Sequence, residues 1–234
     1  MLLVFDLDGT LVDSSRDLAD SANALLVSYG AAPLGEPSVI RMVGEGAAVL
    51  VARLMAARRV EADPAEALAR FLAIYDERLL AHTLPYDGIP EALHELRRSA
   101  RLAVLTNKPG TATARILDGL GLRRAFEWVI GGDAPVGRKP DPAGLRWLVR
   151  EAGGEASSTV MIGDSLVDLR TAQNAGTHVC LTRYGFGFTS CPPDAFRGDE
   201  LFVDAPSELP RVLRRFLVPP AVAGQRRKGS SQEA

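Results

Sequence analysis

Cysteine is scarce in this chain, with two thiols in 234 residues, Cys180 inside an apolar run and Cys191 in a proline-flanked loop. They form neither a CxxC pair nor a disulfide framework, so a reducing cytoplasm is the expected compartment. No apolar run approaches the ~18–20 residues of a membrane span. The opening MLLVFDLDGT meets charge at its sixth residue and lacks the basic start and long apolar stretch of a secretory signal. Charge of one sign is not in excess either. Twenty-seven Lys and Arg oppose 29 Asp and Glu for a net −2, and the short run Arg226-Arg227-Lys228 is too little to draw the chain to nucleic acid or membrane. With 47% hydrophobic and 24% charged residues, collagen-like, disordered and disulfide-scaffold classes fall away.

What is present is an alternation of short β-rich runs with longer helical patterns, the mark of a parallel sheet covered by helices on both faces. The expected strands are Leu2–Phe5, Leu102–Leu105, Trp128–Ile130, Val160–Ile162, Val179–Leu181 and Leu201–Val203, the first five apolar without alternation and so buried on both faces. Asp141-Pro142 predicts a helix start, and Gly121 and Gly176 predict left-handed helix ends. Residues 15–84 break the rhythm with helical periodicity and no strand. Leu18, Ala22, Leu25, Leu26 and Tyr29 line one face, and Leu68, Phe71, Leu72, Tyr75 and Leu79 line another whose helix opens at Asp63-Pro64 with Glu66 as reciprocal cap. The expected organisation is therefore an α/β core, 1–14 and 85–218, with an inserted all-helical unit over 15–84. From Pro219 onward apolar periodicity ceases and a disordered tail is expected.

Ligands of open α/β sheets bind beyond the carboxyl ends of the strands. There the chain places Asp6, Asp8, Gly9 and Thr10, then Thr106-Asn107, then Gly163-Asp164-Ser165 with Asp168 one helical turn on, while Lys139 lies on a proline-restricted loop. Carboxylates crowded into one crevice require a compensating cation. An oxygen-only donor set favours magnesium, since His82, His94 and His178 lie away from these strand ends and zinc would want His or Cys. Magnesium and an ammonium suit a phosphoryl ligand. Asp6 and Asp8 would then divide nucleophilic attack and proton transfer, Gly9 would let the backbone approach, and Thr106 and Asn107 would donate to phosphate oxygens.

Phe5-Asp6-Leu7-Asp8-Gly9-Thr10-Leu11-Val12-Asp13-Ser14, Thr106-Asn107-Lys108-Pro109, Gly137-Arg138-Lys139-Pro140-Asp141-Pro142 and Gly163-Asp164-Ser165-Leu166-Val167-Asp168 together resemble the four ordered motifs of the haloacid dehalogenase-like phosphohydrolases. The resemblance implies a Rossmann-like core with a helical cap. It implies Asp6 as nucleophile, Asp8 as general acid and base, Thr106 and Lys139 on the phosphate, and Mg2+ held by Asp6, the Asp8 carbonyl and Asp164, with Asp168 in support. The cap opening Asp13–Leu18 with Asn23, and the loop Val43-Gly44-Glu45-Gly46-Ala47, look most like phosphoglycolate phosphatases, in which that loop helps select the substrate. Glu45 departs in character, because an acidic tip repels a substrate carboxylate unless it points away. Hydrolases of other small esters or pyrophosphate and sugar phosphomutases would share the motifs. A receiver domain combines similar residues but lacks the insertion.

Overall fold

The computed structural model describes residues 1–217, so the expected disordered tail lies outside the described residues. In chain order the elements are β1 (Leu2–Phe5), β2 (Val12–Asp13), α1 (Ser15–Ser28), α2 (Glu36–Ile40), α3 (Ala47–Arg58), α4 (Pro64–Asp76), β3 (Leu84–Pro85), α5 (Ile89–Leu96), β4 (Arg101–Leu105), α6 (Gly110–Gly119), β5 (Trp128–Ile130), α7 (Ala143–Glu151), β6 (Thr159–Gly163), α8 (Leu166–Ala175), β7 (His178–Thr182), β8 (Leu201–Val203) and α9 (Leu209–Leu217). Six strands form one parallel sheet in the order β5-β4-β1-β6-β7-β8. The fold is a Rossmann-like α/β core with an all-helical cap, α1 to α4, inserted after β1. Among the described residues no helix is long and apolar enough to cross a membrane.

Strand alternation sorts the sheet's side chains into two apolar layers. Leu3, Phe5, Leu102, Val104, Val160 and Ile162 face α5, α6 and α9, whereas Leu2, Val4, Ala103, Leu105 and Met161 face α7 and α8. Each fully buried Leu or Phe contributes about 2 kcal/mol of transfer free energy, so β1, like β6 buried at every position, is firmly held. Its register aligns Phe5 with both Val104 and Ile162. The three central strands therefore end level, and their following residues share one rim.

Three expectations need correcting. Trp128–Ile130 was expected to be buried on both faces, but β5 is an edge strand with only Ile130 buried. Its Trp128 ring is covered by the Arg101 guanidinium, 4.3 Å from the centroid, and a three-residue apolar run carries no signal that separates edge from interior. The reciprocal cap at Glu66 is also not made. Asp63 accepts from the Glu66 N–H at 2.9 Å, but the Glu66 carboxylate pairs instead with Arg70 at 2.8 Å. Gly121 and Gly176 do take left-handed conformations, with φ of 70° and 76°. The start expected at Asp141-Pro142 falls one residue later, with Pro142 as the N-cap of α7, and Asp141 just ahead of it accepts from the Ala143 N–H at 2.8 Å.

The cap joins the core through a small antiparallel ribbon, β2 with β3, whose two-residue strands are too short to show in hydrophobic periodicity. Beside it lies Asp17 on α1, only 1% exposed. Its carboxylate accepts from the His82 N–H at 2.9 Å, the Thr83 N–H at 2.8 Å and the Thr83 hydroxyl at 2.7 Å, and lies 2.9 Å from His82 Nδ1. Burial pushes this carboxyl up, but hydrogen bonds from His82 and Thr83 outweigh it and hold the group below its ordinary 3.8. Asp17→Ala should lower the unfolding free energy by about 3 kcal/mol in urea denaturation, since orphaned buried donors cost about 1–3 kcal/mol each. The sign of the pH effect follows from the lowered value. The stabilisation by Asp17 is full above 3.8 and fades as the pH falls below it, so the variant should lose that acid-range slope.

Candidate active site

The rim formed by β1, β4 and β6 gathers the polar residues. Asp6 follows β1, and its Oδ1 lies 2.8 Å from Lys139 Nζ. Lys139, on the loop between β5 and α7, reaches Asp168 Oδ1 at 2.5 Å with its other side. Asp168 is fully buried in the first turn of α8, where Ser165 is the N-cap. Its Oδ2 accepts from the Ser165 N–H at 3.1 Å and the Ser165 hydroxyl at 2.6 Å. Thus Asp168 caps a helix and holds a lysine at once, and Asp164 is not the cap of that helix. Instead, Asp164 Oδ2 accepts from the Gly187 N–H at 2.7 Å.

Asp6, Asp164 and Asp168 offer oxygens within 4.8 Å of one another. Burial pushes the Asp6 carboxyl up to about 6 against the opposing pull of Lys139, with Asp168 and Asp8 adding to the rise. Burial, followed by the charges of Asp168 and Asp6, also drives Asp164 well above the ordinary carboxylate range. Lys139 loses to desolvation but gains more from Asp168 and Asp6, so it stays firmly charged. Three carboxylates against one ammonium leave a net negative, oxygen-only cluster, the donor chemistry that a hard divalent cation satisfies. Gly9 is part of this geometry. Its φ is +81°, and a Cβ there would stand 1.9 Å from Asp164 Oδ2, so no larger residue fits.

Asp8 faces different neighbours. Both of its carboxylate oxygens lie 2.9 Å from Lys108 Nζ, and Oδ1 accepts from the Ser14 hydroxyl at 2.6 Å. Lys108 also donates to the Tyr75 hydroxyl of the cap at 2.6 Å. Neither the tie from Ser14 nor that from Tyr75 was visible in the sequence. Tyr75 stood out only as one of a stripe of apolar cap positions, and Lys108 only as a member of the second motif with no role of its own. Their signal was the lack of alternatives, since the chain has three lysines in all and two of them are buried in this site.

A cavity of about 440 Å3 lies between cap and core, with Asp6, Asp8, Thr106, Lys108 and Asp164 on the core side and Leu18, Val43, Leu50, Phe71 and Tyr75 on the cap side. Gly44 and Gly46 line it, but Glu45 does not. Glu45 pairs with Arg53, so the acidic tip points away and leaves the cavity free of its charge. The expectation for Asn107 gives way. Its amide nitrogen donates to the Gly44 carbonyl at 3.0 Å and the Lys139 carbonyl at 2.9 Å, which commits both N–H groups to backbone. Asn107 therefore latches the cap loop to the lysine loop in this arrangement. Thr106 keeps its place on the cavity wall, its hydroxyl accepting from the Lys108 N–H at 3.3 Å.

Parallel strands ending in clustered carboxylates, beneath a helical cap that closes a cavity over them, define a capped α/β hydrolase. Residues 3–182 match the family model described as haloacid dehalogenase-like hydrolase, and the chain belongs to that family. It is 46% identical over 192 residues to a phosphoglycolate phosphatase of Rhodospirillum rubrum, covering 79% of this chain and 80% of that protein. A phosphoglycolate phosphatase of Agrobacterium fabrum is 34% identical over 226 residues, 95% of this chain and 96% of its own. Among solved structures, a predicted phosphoglycolate phosphatase of Haemophilus somnus superposes with a TM-score of 0.84 at 30% identity, covering 90% of this chain and 96% of that one. The protein is accordingly a phosphatase.

Gly9→Ala should lower phosphate release by about 100-fold with the fold retained by circular dichroism, because a displacement of about 1 Å at reacting groups costs on that order. Activity within a few-fold of the unaltered protein would show that Asp164 can yield without consequence.

Proposed function

We propose that the protein is a magnesium-dependent phosphomonoester hydrolase acting on 2-phosphoglycolate through an aspartyl-phosphate. The observation that carries the mechanism is the division of partners between two carboxylates that both line one cavity. Asp6 sits with Lys139 in the acidic cluster, whereas Asp8 sits with Lys108 and Ser14. Different surroundings suit different tasks.

In this reading an Asp6 carboxylate oxygen attacks phosphorus, and the ester P–O bond breaks with its electron pair on the departing alkoxide. Asp8 supplies the proton that makes it an alcohol. Water then attacks the same phosphorus and gives a proton to Asp8, while the bond to Asp6 breaks and its carboxylate is restored. Thr106 and Lys139 hold phosphoryl oxygens, and Lys139 also fixes the attacking carboxylate. The carboxylates of Asp6 and Asp164 with the backbone carbonyl of Asp8 would hold Mg2+, Asp168 supporting from behind Lys139. The donor set fits that ion, being oxygen-only and short of positive charge. When bound, Mg2+ neutralises phosphoryl oxygens and orients the phosphorus for in-line attack.

The substrate assignment is supported by the similarity to phosphoglycolate phosphatases and by the cavity from which Glu45 is turned away. We place the unit boundaries at 1–14 and 85–218 for the core and 15–84 for the cap, with the links beside the β2–β3 ribbon as hinges that let substrate enter and the cap close over it. Two free cysteines, Cys180 and Cys191, accord with a cytoplasmic setting.

The test is phosphate release from 2-phosphoglycolate, sugar phosphates, nucleotides and pyrophosphate, with and without chelator. Preference for 2-phosphoglycolate, loss of activity on chelation and recovery with Mg2+ are expected. Asp6→Asn should reduce turnover to background while melting at an unchanged temperature, and normal turnover in that variant would remove Asp6 from the nucleophile's role.

A further inference from the structure

Resting on that reading of Asp8, we infer that Tyr75 is a cap-borne positioning residue, which through Lys108 sets the orientation of Asp8 when the cap is docked. Three observations converge on it. The ammonium of Lys108 has three protons and three acceptors within reach, Asp8 Oδ1 and Oδ2 at 2.9 Å each and the Tyr75 hydroxyl at 2.6 Å. Its donors are thus all spent, one of them across the boundary between core and cap. The pair is also shielded, the Lys108 side chain being 4% exposed and Asp8 14%, so water competes poorly for these bonds. Finally, Tyr75 is itself held, buried on α4 with its ring stacked on Phe71 at 5.8 Å between centroids and 9° between planes.

The physical consequence is a conditional geometry. Lys108 grips both oxygens of Asp8 symmetrically and so fixes the plane of that carboxylate, while Ser14 fixes one edge of it from the start of α1. With the cap docked, the Tyr75 hydroxyl tethers the far side of the ammonium and the ring lies 4.6 Å from Nζ, adding a cation–π attraction. With the cap lifted, α4 carries Tyr75 away, and Lys108 keeps only the carboxylate and whatever water enters. Asp8 then loses its fixed plane. Proton transfer demands a donor held within hydrogen-bond reach, about 2.6–3.2 Å, of the departing oxygen. The chain thereby couples cap docking to proton transfer without any cap residue touching the ester oxygen.

The prediction separates positioning from mere packing by the leaving group. An alkoxide such as that of 2-phosphoglycolate needs a proton as it departs, whereas 4-nitrophenolate leaves as a stable anion. Tyr75→Phe keeps the ring and deletes the hydroxyl. It should lower kcat/KM for 2-phosphoglycolate about tenfold, a part of the 10²–10⁴ of a positioned acid, and change kcat/KM for 4-nitrophenyl phosphate by less than about twofold. Lys108→Met should lose more on 2-phosphoglycolate than on 4-nitrophenyl phosphate, and on 2-phosphoglycolate the double variant should be no worse than Lys108→Met alone, since both act on Asp8 through one path.

Leu54→Ala, which loosens the buried interior of the cap away from the cavity, should by contrast lower both substrates by a common factor. Equal losses on both substrates for Tyr75→Phe, or additive losses in the double variant, would overturn the inference. Asp8→Asn distinguishes the two levels. If it shows the leaving-group split and Tyr75→Phe does not, the positioning role alone falls; if it shows no split, the assignment of Asp8 falls and the inference with it.

Discussion

Mutual repulsion among three buried carboxylates at the ends of adjacent parallel strands is the constraint on which the rest of the site depends. Asp6, Asp164 and Asp168 stand within 4.8 Å of one another, an arrangement that would drive the strand ends apart if left unopposed. Lys139 sits between Asp6 and Asp168 and offsets part of that charge. Burial first, and the neighbouring carboxylates after it, raise Asp6 to about 6 and Asp164 well above the ordinary carboxylate range, so the cluster favours a compensating positive charge. The fold tolerates this because β1, β4 and β6 are clamped in register by apolar layers on both faces. Rigid strands set the spacing of the charges.

Glycine enters at the places where that spacing leaves no room. Gly9 turns at positive φ where a Cβ would stand 1.9 Å from Asp164 Oδ2, and Gly163 lies so close to Asp168 that a Cβ would fall 2.2 Å from its carboxyl carbon. Such close approach keeps the carboxylates from rotating away from one another. The same packing lets Asp168 serve two masters, completing the capping box of α8 and anchoring Lys139, which ties the helix start to Asp6.

The sheet was legible because interior parallel strands must be apolar on both faces, and runs such as Val160–Ile162 have few other uses. The floor of the site was legible for a related reason. Acids directly after such runs stand at the rim where ligands of parallel sheets bind, so Asp6 and Asp164 stood out as chemistry, and Lys139, on a proline-restricted loop, as the cation to oppose them. Contacts that close over the site were not legible. Tyr75 reads as one more apolar position in the α4 stripe, and only the fold turns its hydroxyl onto Lys108. Asn107 reads as a phosphate donor by type, but its two N–H groups are drawn to carbonyls of loops 32 and 63 residues away in sequence. Glu45 misled in the opposite direction. Its charge suggested an obstacle at the loop tip, and Arg53, eight residues on, removes it.

The two lysines explain how one residue type can be given two tasks two positions apart. Asp6 and Asp8 follow the same strand and open on the same cavity, so nothing intrinsic distinguishes them. Lys139 comes from the core, and its ammonium pairs with two core carboxylates, Asp6 and Asp168. Lys108 also comes from the core, but one of its three bonds belongs to α4. The carboxylate next to the first lysine therefore has a fixed geometry, and the one next to the second has a geometry that the cap completes. The proposed mechanism, which must keep water from a phosphorylated aspartate until its alcohol has left, gains from that asymmetry. In that proposal Asp6 is held ready to attack at all times, while Asp8 is fully aligned to move protons only when the cavity is shut.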